Sequence, residues 1–381
     1  MLRHGFSSAL LRSVALAIAL AGAYCAARAP ATEPTLDQVV TRGLNYLRDK
    51  GQDDKGRLSP RIGSGVTSLA VTAALRHGRK LDDPLVARGL KALEEYVQAD
   101  GGIYGSDRLR NYETCVGIVC LSEANKLAGD GRYDKILKNA DKFVRGLQIG
   151  AAGNVDQADP KFGGVGYGGP ERPDLSNTAY LVDALKALDT PAEDPAIQRA
   201  LMFVSRCQNL KGKWNDTKFG PLVDDGGFYY VIPTEKVDAS DSEKYTADGG
   251  LRSYGSMTYA GFKSLIYAGL TKNDPRTEAA VKWISENYSV TTNPGQGNAG
   301  LFYYYQLFGS AMAASGMKEV ATKNEGTRDW RDDLVAELSK TQQADGSWTN
   351  ANRQYMENDP NLCTSFALLA LSYGDDKPNG K

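Results

Sequence analysis

"QADGSW" occupies residues 343–348, and "QADGG" occupies residues 98–102 of the same 381-residue chain. Each follows a helix-like segment, so the flanks decide between coincidence and an internal repeat. Before the first copy, "DPLVARGLKALEEYV" (83–97) sets Val86, Leu90, Leu93 and Val97 on one helical face. Asp83 suits an N-cap, and Pro84 falls at the first helical position, where its missing N–H costs nothing. The Asp-Pro start recurs at Asp194-Pro195 and Asp274-Pro275, and Thr35 with Gln38 has the spacing of a capping box. "TRGLNYL" (41–47) and "QRALMFV" (198–204) echo "ARGLKAL" (87–93). The flanks match.

After each glycine-rich loop comes a second helix of different character. "TSLAVTAALRHG" (67–78), "TCVGIVCLSEANKLAG" (114–129), "TAYLVDALKALD" (178–189), "TYAGFKSLIYAGL" (258–270) and "TSFALLALSYG" (364–374) all open on Thr. "YYYQLFGSAMAASG" (303–316) fits the sixth place, with Tyr305 where the others have Thr. These segments are apolar almost all round, which predicts burial on every side. Six units follow, beginning near Thr35, Asp83, Arg132, Asp194, Asp274 and Asp329. No segment alternates as a strand does. The reading is an all-α chain with a single (α/α)6 toroid domain over residues 30–381, apolar helices inside and amphipathic ones outside. Closure removes the need for polar capping repeats, and an open solenoid of the same pairs is the alternative.

Composition sets limits on function. The chain is 41% hydrophobic and 24% charged with a net charge of −1, so it has no basic surplus with which to hold nucleic acid. At the N-terminus, Arg3, His4 and Arg12 precede "VALAIALAGAYCAARA" (14–29), an apolar core too short for a bilayer. With small residues after it, residues 1–29 read as a signal peptide, so export is expected and membrane contact is limited to that transient segment. Cys115, Cys120, Cys207 and Cys363 remain, too few for a disulfide scaffold, and read as small helix-packing residues.

The loop stretches "QADGSW", "QNLKGKW" (208–214) and "QADGGIY" (98–104) read as structural staples. The Gln satisfies backbone groups at helix ends, the Gly turns the chain, and Trp348, Trp214 or Tyr104 packs over the joint. Gln-x(2–3)-Gly-x-Trp followed by a Thr-led helix resembles the prenyltransferase and squalene-oxidase (terpenoid cyclase) repeat family, from about residue 35 onward. The resemblance implies an α/α toroid. For the prenyltransferase branch it implies zinc held by Asp, Cys and His, but the matching places here are Tyr254, Ser256 and Cys363. His77 sits elsewhere, in "RHGRK". For the cyclase branch it implies an Asp-x-Asp-Asp proton donor, which this chain lacks. The thioester branch needs a Cys that "GSGVTS" (63–68) does not supply. Glycan-cleaving enzymes also use such barrels, with two carboxylates across a groove.

The acids nearest to such roles, Asp224, Asp225, Asp238, Asp241 and Asp248, fall in a long insertion at about 215–250. Among the 20 tyrosines, Tyr229, Tyr230, Tyr254, Tyr259, Tyr303, Tyr304 and Tyr305 gather at loop-to-inner-helix junctions, joined by Tyr112, Tyr167 and Tyr180. A rim lined this way suits an isoprenoid, a sugar or a protein segment. The expectation is an exported binding or scaffolding toroid with no metal or cofactor. Tyr180, Tyr229, Tyr254, Tyr259 and Tyr304 are its candidate contacts to a hydrophobic small molecule or partner segment. The alternative is a divergent terpenoid- or glycan-acting enzyme using Asp224, Asp225, Asp238 or Asp241.

Overall fold

Asp-Pro pairs start four helices in the computed structural model, at Asp83, Asp194, Asp274 and Asp359, and in each the Asp side chain accepts the backbone N–H two residues on. The structure describes residues 1, 34–169, 172–233, 240–241 and 244–374. Chain contacts separate Met1–Thr35 from a unit spanning Leu36–Lys381. The proposed signal peptide and Asp238 lie outside the described residues.

Among the described residues, twelve helices of more than two turns make up the larger unit, alternating outer and inner. The outer helices are α1 (Leu36–Tyr46), α3 (Pro84–Glu94), α5 (Asp134–Leu147), α7 (Pro195–Arg206), α9 (Pro275–Glu286) and α11 (Trp330–Thr341). The inner ones are α2 (Gly65–Arg76), α4 (Arg110–Ala128), α6 (Leu175–Ala187), α8 (Gly255–Tyr267), α10 (Leu301–Ser315) and α12 (Pro360–Leu371). On α3, Leu85, Val86, Gly89, Leu90 and Leu93 are buried while Arg88 and Lys91 are exposed. On α12, every residue from Leu362 to Leu371 is buried.

Each inner helix packs on the next, and α12 packs on α2, so the ring closes. Outer helices return against the inner helix just before them: α3 on α2, α5 on α4, and so on to α1 on α12. The chain is an α/α toroid. Between α10 and α11, β1 (Glu319–Thr322) pairs antiparallel with β2 (Gly326–Asp329), a hairpin too short for alternation to show in the sequence.

Two devices recur from unit to unit. In the first, a glutamine amide forks between its own loop and the first turn of the following outer helix. Gln52 donates to Gly56 and Leu85 carbonyls, Gln148 to Gly163 and Ala196, and Gln208 to Gly226 and Arg276. Gln342 donates to Gly346 and Val39, joining the last unit to the first. Side chains are excluded at these glycines: at Gly346 (φ +93°) a Cβ would lie 2.5 Å from the Arg42 carbonyl oxygen, and at Gly163 (φ +87°) 1.8 Å from that of Arg199.

The second device is the threonine that opens five inner helices. Thr67, Thr114, Thr178, Thr258 and Thr364 accept the buried N–H groups of Leu58, Ile103, Val165, Phe228 and Trp348. At the sixth place the Tyr305 hydroxyl donates to the Val290 carbonyl.

Some motif residues sit differently from their reading in sequence. The fork is made by Gln342, one place before the quoted stretch. Gln98 bonds only within its own loop, to the Tyr96 and Tyr104 carbonyls, because Val97 holds the fork position there. Trp348 is buried at its joint, but Phe228 holds that place in the fourth unit. Trp214 lies half-buried beneath Arg276, whose guanidinium is 5.0 Å from the ring centre.

Candidate functional site

All six inner helices start at one rim, and their first turns surround a cavity of about 340 Å³. Val66 of α2, Tyr112 of α4, Tyr180 of α6, Met257 of α8, Tyr303 of α10 and Phe366 of α12 line it. The loops add Tyr167, Tyr230, Tyr254 and Tyr355, which brings seven tyrosines to one space. Tyr180 stacks on Tyr303 at 6.2 Å and meets Tyr112 edge-on at 4.9 Å, forming a ladder of rings across the cavity floor. Offset and edge-on contacts of this kind add about 0.5–1.5 kcal/mol each beyond area burial, so the floor is set before anything binds.

The walls are apolar in their rings and polar at chosen points. The Ser176 and Tyr303 hydroxyls lie 2.6 Å apart. Burial pushes the Tyr112, Tyr180, Tyr254 and Tyr303 phenols up, and that of Tyr167 to about 12. At neutral pH all are neutral donors and acceptors. Tyr355 and Met356, exposed at the lip, both take left-handed backbone angles (φ +57° and +59°). Such strain in non-glycine residues costs of order 1–3 kcal/mol each and recurs at ligand clamps.

Of the tyrosines singled out from the sequence, Tyr180 and Tyr254 line the cavity. Tyr229, Tyr259 and Tyr304 are buried in the wall. Tyr229 donates to the Arg206 carbonyl, and Tyr259 packs edge-on against Tyr304 at 5.6 Å and Phe308 at 5.0 Å. One helical step separates Tyr303, which faces the cavity, from Tyr304, which does not.

The insertion acids are placed away from the cavity. Asp224 is exposed and accepts the Lys211 N–H, while Asp241 pairs with Lys244 at 2.8 Å. Asp225 is half-buried, accepting from the Gly227 N–H, the Ser253 hydroxyl and the Trp283 indole. Asp248 is exposed. At the family's metal-ligand places, Tyr254 and Ser256 line the cavity, and the Cys363 thiol donates to the Glu357 carbonyl. Cys115, Cys120, Cys207 and Cys363 are all buried and free. Among the described residues no group of three or more His, Cys, Asp or Glu is placed to hold a metal ion.

Other acids stand closer, and the motif reading passed over them. Glu113, Asp174 and Glu357 are buried at the N-terminal ends of α2, α6 and α10. Glu113 accepts from the Ser64 N–H and hydroxyl, and Glu357 from the Tyr303 N–H and the Asn350 amide. Burial pushes both carboxyls up, against the pull of those donors. Asp174 caps α6, accepting from the Asn177 backbone and side chain. Its carboxyl also interacts electrostatically with the phenol of cavity-lining Tyr230, and burial pushes it up to about 7. The sequence signal for Asp174 is a plain N-cap, an Asp four residues before the Thr of an inner helix.

No known protein family matches the chain, and neither does any curated protein. Solved structures do resemble it. D-mannose isomerase is 12% identical with a TM-score of 0.51, covering 91% of this chain and 98% of its own. A protein from Actinoplanes is 14% identical with a TM-score of 0.48, covering 89% and 99%. A type II terpene cyclase from Scytonema, in complex with geranylgeranyl dihydroxybenzoate, is 13% identical with a TM-score of 0.47, covering 89% and 97%. At these identities the likeness is one of fold. The closed ring, matched over its length by the isomerase, makes this chain an α/α toroid.

Proposed function

We propose that the toroid is an exported binding protein that takes an apolar molecule bearing a hydroxyl or carbonyl in its tyrosine-lined mouth. The carrying observation is the cavity itself: seven tyrosine rings around about 340 Å³, with neutral hydroxyls at fixed points. That volume is at the small end for ligand pockets. At ~30 Å³ per heavy atom, as for liquid water, it holds roughly a dozen heavy atoms. A short isoprenoid alcohol meets both requirements. Export rests on the apolar run at 14–29 and the small residues after it. The mass of the protein recovered from an exporting host checks it.

Native mass spectrometry and calorimetry with geraniol and farnesol test the binding. Saturable uptake that is lost in Val66→Trp, which fills the mouth, supports the reading. Equal uptake by that variant, or none by the wild type, overturns it.

A second reading, acid–base chemistry on the bound molecule, is favoured by the contact between Asp174 and Tyr230. A carboxyl raised to about 7 beside a cavity-lining phenol can pass a proton to that space. This reading moves the catalytic role from the insertion acids to Asp174. A changed product mass in the same samples, abolished by Asp174→Asn, distinguishes it from binding alone.

A further inference from the structure

The geometry points to a second small-molecule site at the opposite end of the toroid, one that takes a neutral polyhydroxylated molecule of about hexose size. It is independent of the reading for the tyrosine mouth. The later turns of the inner helices enclose a cavity of about 240 Å³, and Tyr180 is the ring shared between the two spaces. Exposed Lys126 lines it as well, so it reaches the surface.

The polar groups here have capacity left over. Lys263 is 1% exposed, and its ammonium donates to Asp183 at 2.8 Å and to the Ser310 hydroxyl at 3.2 Å. A lysine ammonium has three protons, so one is unassigned. Arg76 is held by Glu123 at 2.6 Å and by the Tyr373 hydroxyl. Gln306 is 8% exposed, lines the cavity, and has an amide oxygen with no hydrogen-bond partner. A buried polar atom left unpaired is costly, and such atoms mark places where a ligand or water completes the bonding.

Charge then selects the class. Lys263 pairs with Asp183, Arg76 with Glu123 and exposed Lys126 with Asp189, while Lys186, in the last turn of α6, stands against the C-terminal, partially negative ends that the inner helices present to this side. An anion gains little there. Hydroxyl groups both donate and accept, so they match the unpaired Gln306 oxygen and the spare Lys263 proton together. The Tyr267 and Tyr373 rings offer apolar faces to the C–H side of a sugar or cyclitol.

The test uses the full chain, with saturation-transfer NMR and calorimetry against myo-inositol, glucose, glucitol and glucuronate. At least one neutral probe is expected to bind saturably, in the millimolar range or tighter, and better than glucuronate. Gln306→Leu removes the unpaired amide at similar volume and should weaken binding tenfold or more. A glutamine with only a packing role would leave binding unchanged. Should Gln306→Leu fail to fold, Val119→Phe fills the cavity without removing a polar group and should abolish binding. The inference is overturned if no neutral probe binds, if glucuronate binds best, or if a folded variant binds like the wild type.

Discussion

Asp174→Asn isolates the buried carboxyl beside the tyrosine mouth. Burial raises this group from 3.8 to about 7, which at ~1.4 kcal/mol per tenfold change in proton affinity is worth up to ~4 kcal/mol. The sign follows from proton counts. Between about pH 4 and pH 7 the folded chain keeps a proton that the unfolded chain has released, so stability falls as pH rises through that window. Above about pH 7 the dependence ends. Asparagine caps a helix about as well as aspartate and never ionises. It does lose the acceptor facing the Asn177 amide, at about 1–3 kcal/mol.

The variant should therefore be less stable than the wild type near pH 5 and equal or more stable near pH 8. Urea unfolding of both proteins at five pH values and fixed ionic strength measures this. Glu113 and Glu357 also have raised carboxyls and slope the same way, but they are common to both proteins and cancel in the difference. Parallel curves, with a constant offset from pH 5 to pH 8, would refute the reasoning.

Gln342→Leu removes the fork that joins the last unit to the first and leaves the Val39 and Gly346 carbonyls without that donor. A loss of about 2–4 kcal/mol is expected in denaturant melts, with no loss of helical signal before the transition. Gly163→Ala forces a Cβ to 1.8 Å from the Arg199 carbonyl at φ +87°, so the soluble folded yield should collapse. Gly153→Ala, also at positive φ but in open space, should lower stability only by about 1–2 kcal/mol. Thr364→Val keeps the shape but denies the buried Trp348 N–H its acceptor, which should cost about 1–3 kcal/mol by the same melts.

The fold was legible because its signals are local and repeated. An Asp before Pro caps a helix wherever it stands, as at Asp83, Asp194 and Asp274, and an apolar run such as 362–371 has no polar face to show to water. Recurrence of outer helix, loop and Thr-led inner helix over the chain then leaves a closed ring or an open solenoid. The threonines were visible as a pattern, though not their work of accepting a loop N–H in the same unit.

The site was legible only in kind. A wealth of tyrosine at loop-to-helix junctions comes from composition and position, and Tyr180 and Tyr254 do face the cavity. Tyr303 and Tyr304 are neighbours in the chain and differ by one helical step, so which of them faces the mouth depends on how α10 is rotated against α8 and α12. The same is true of Gln342 and Gln343. Carboxyl behaviour was less legible still. Asp224 and Asp174 are the same residue type, and what separates an exposed acid from one raised to about 7 is the water removed when the fourth unit's loop brings Tyr230 over α6. The sequence by itself determined six helix pairs and their caps, because those depend on neighbours along the chain. Closure of the ring, the facing of each tyrosine and the burial of each acid were decided by tertiary packing, because they depend on residues distant in the chain, as between Val39 and Gln342, 303 positions apart.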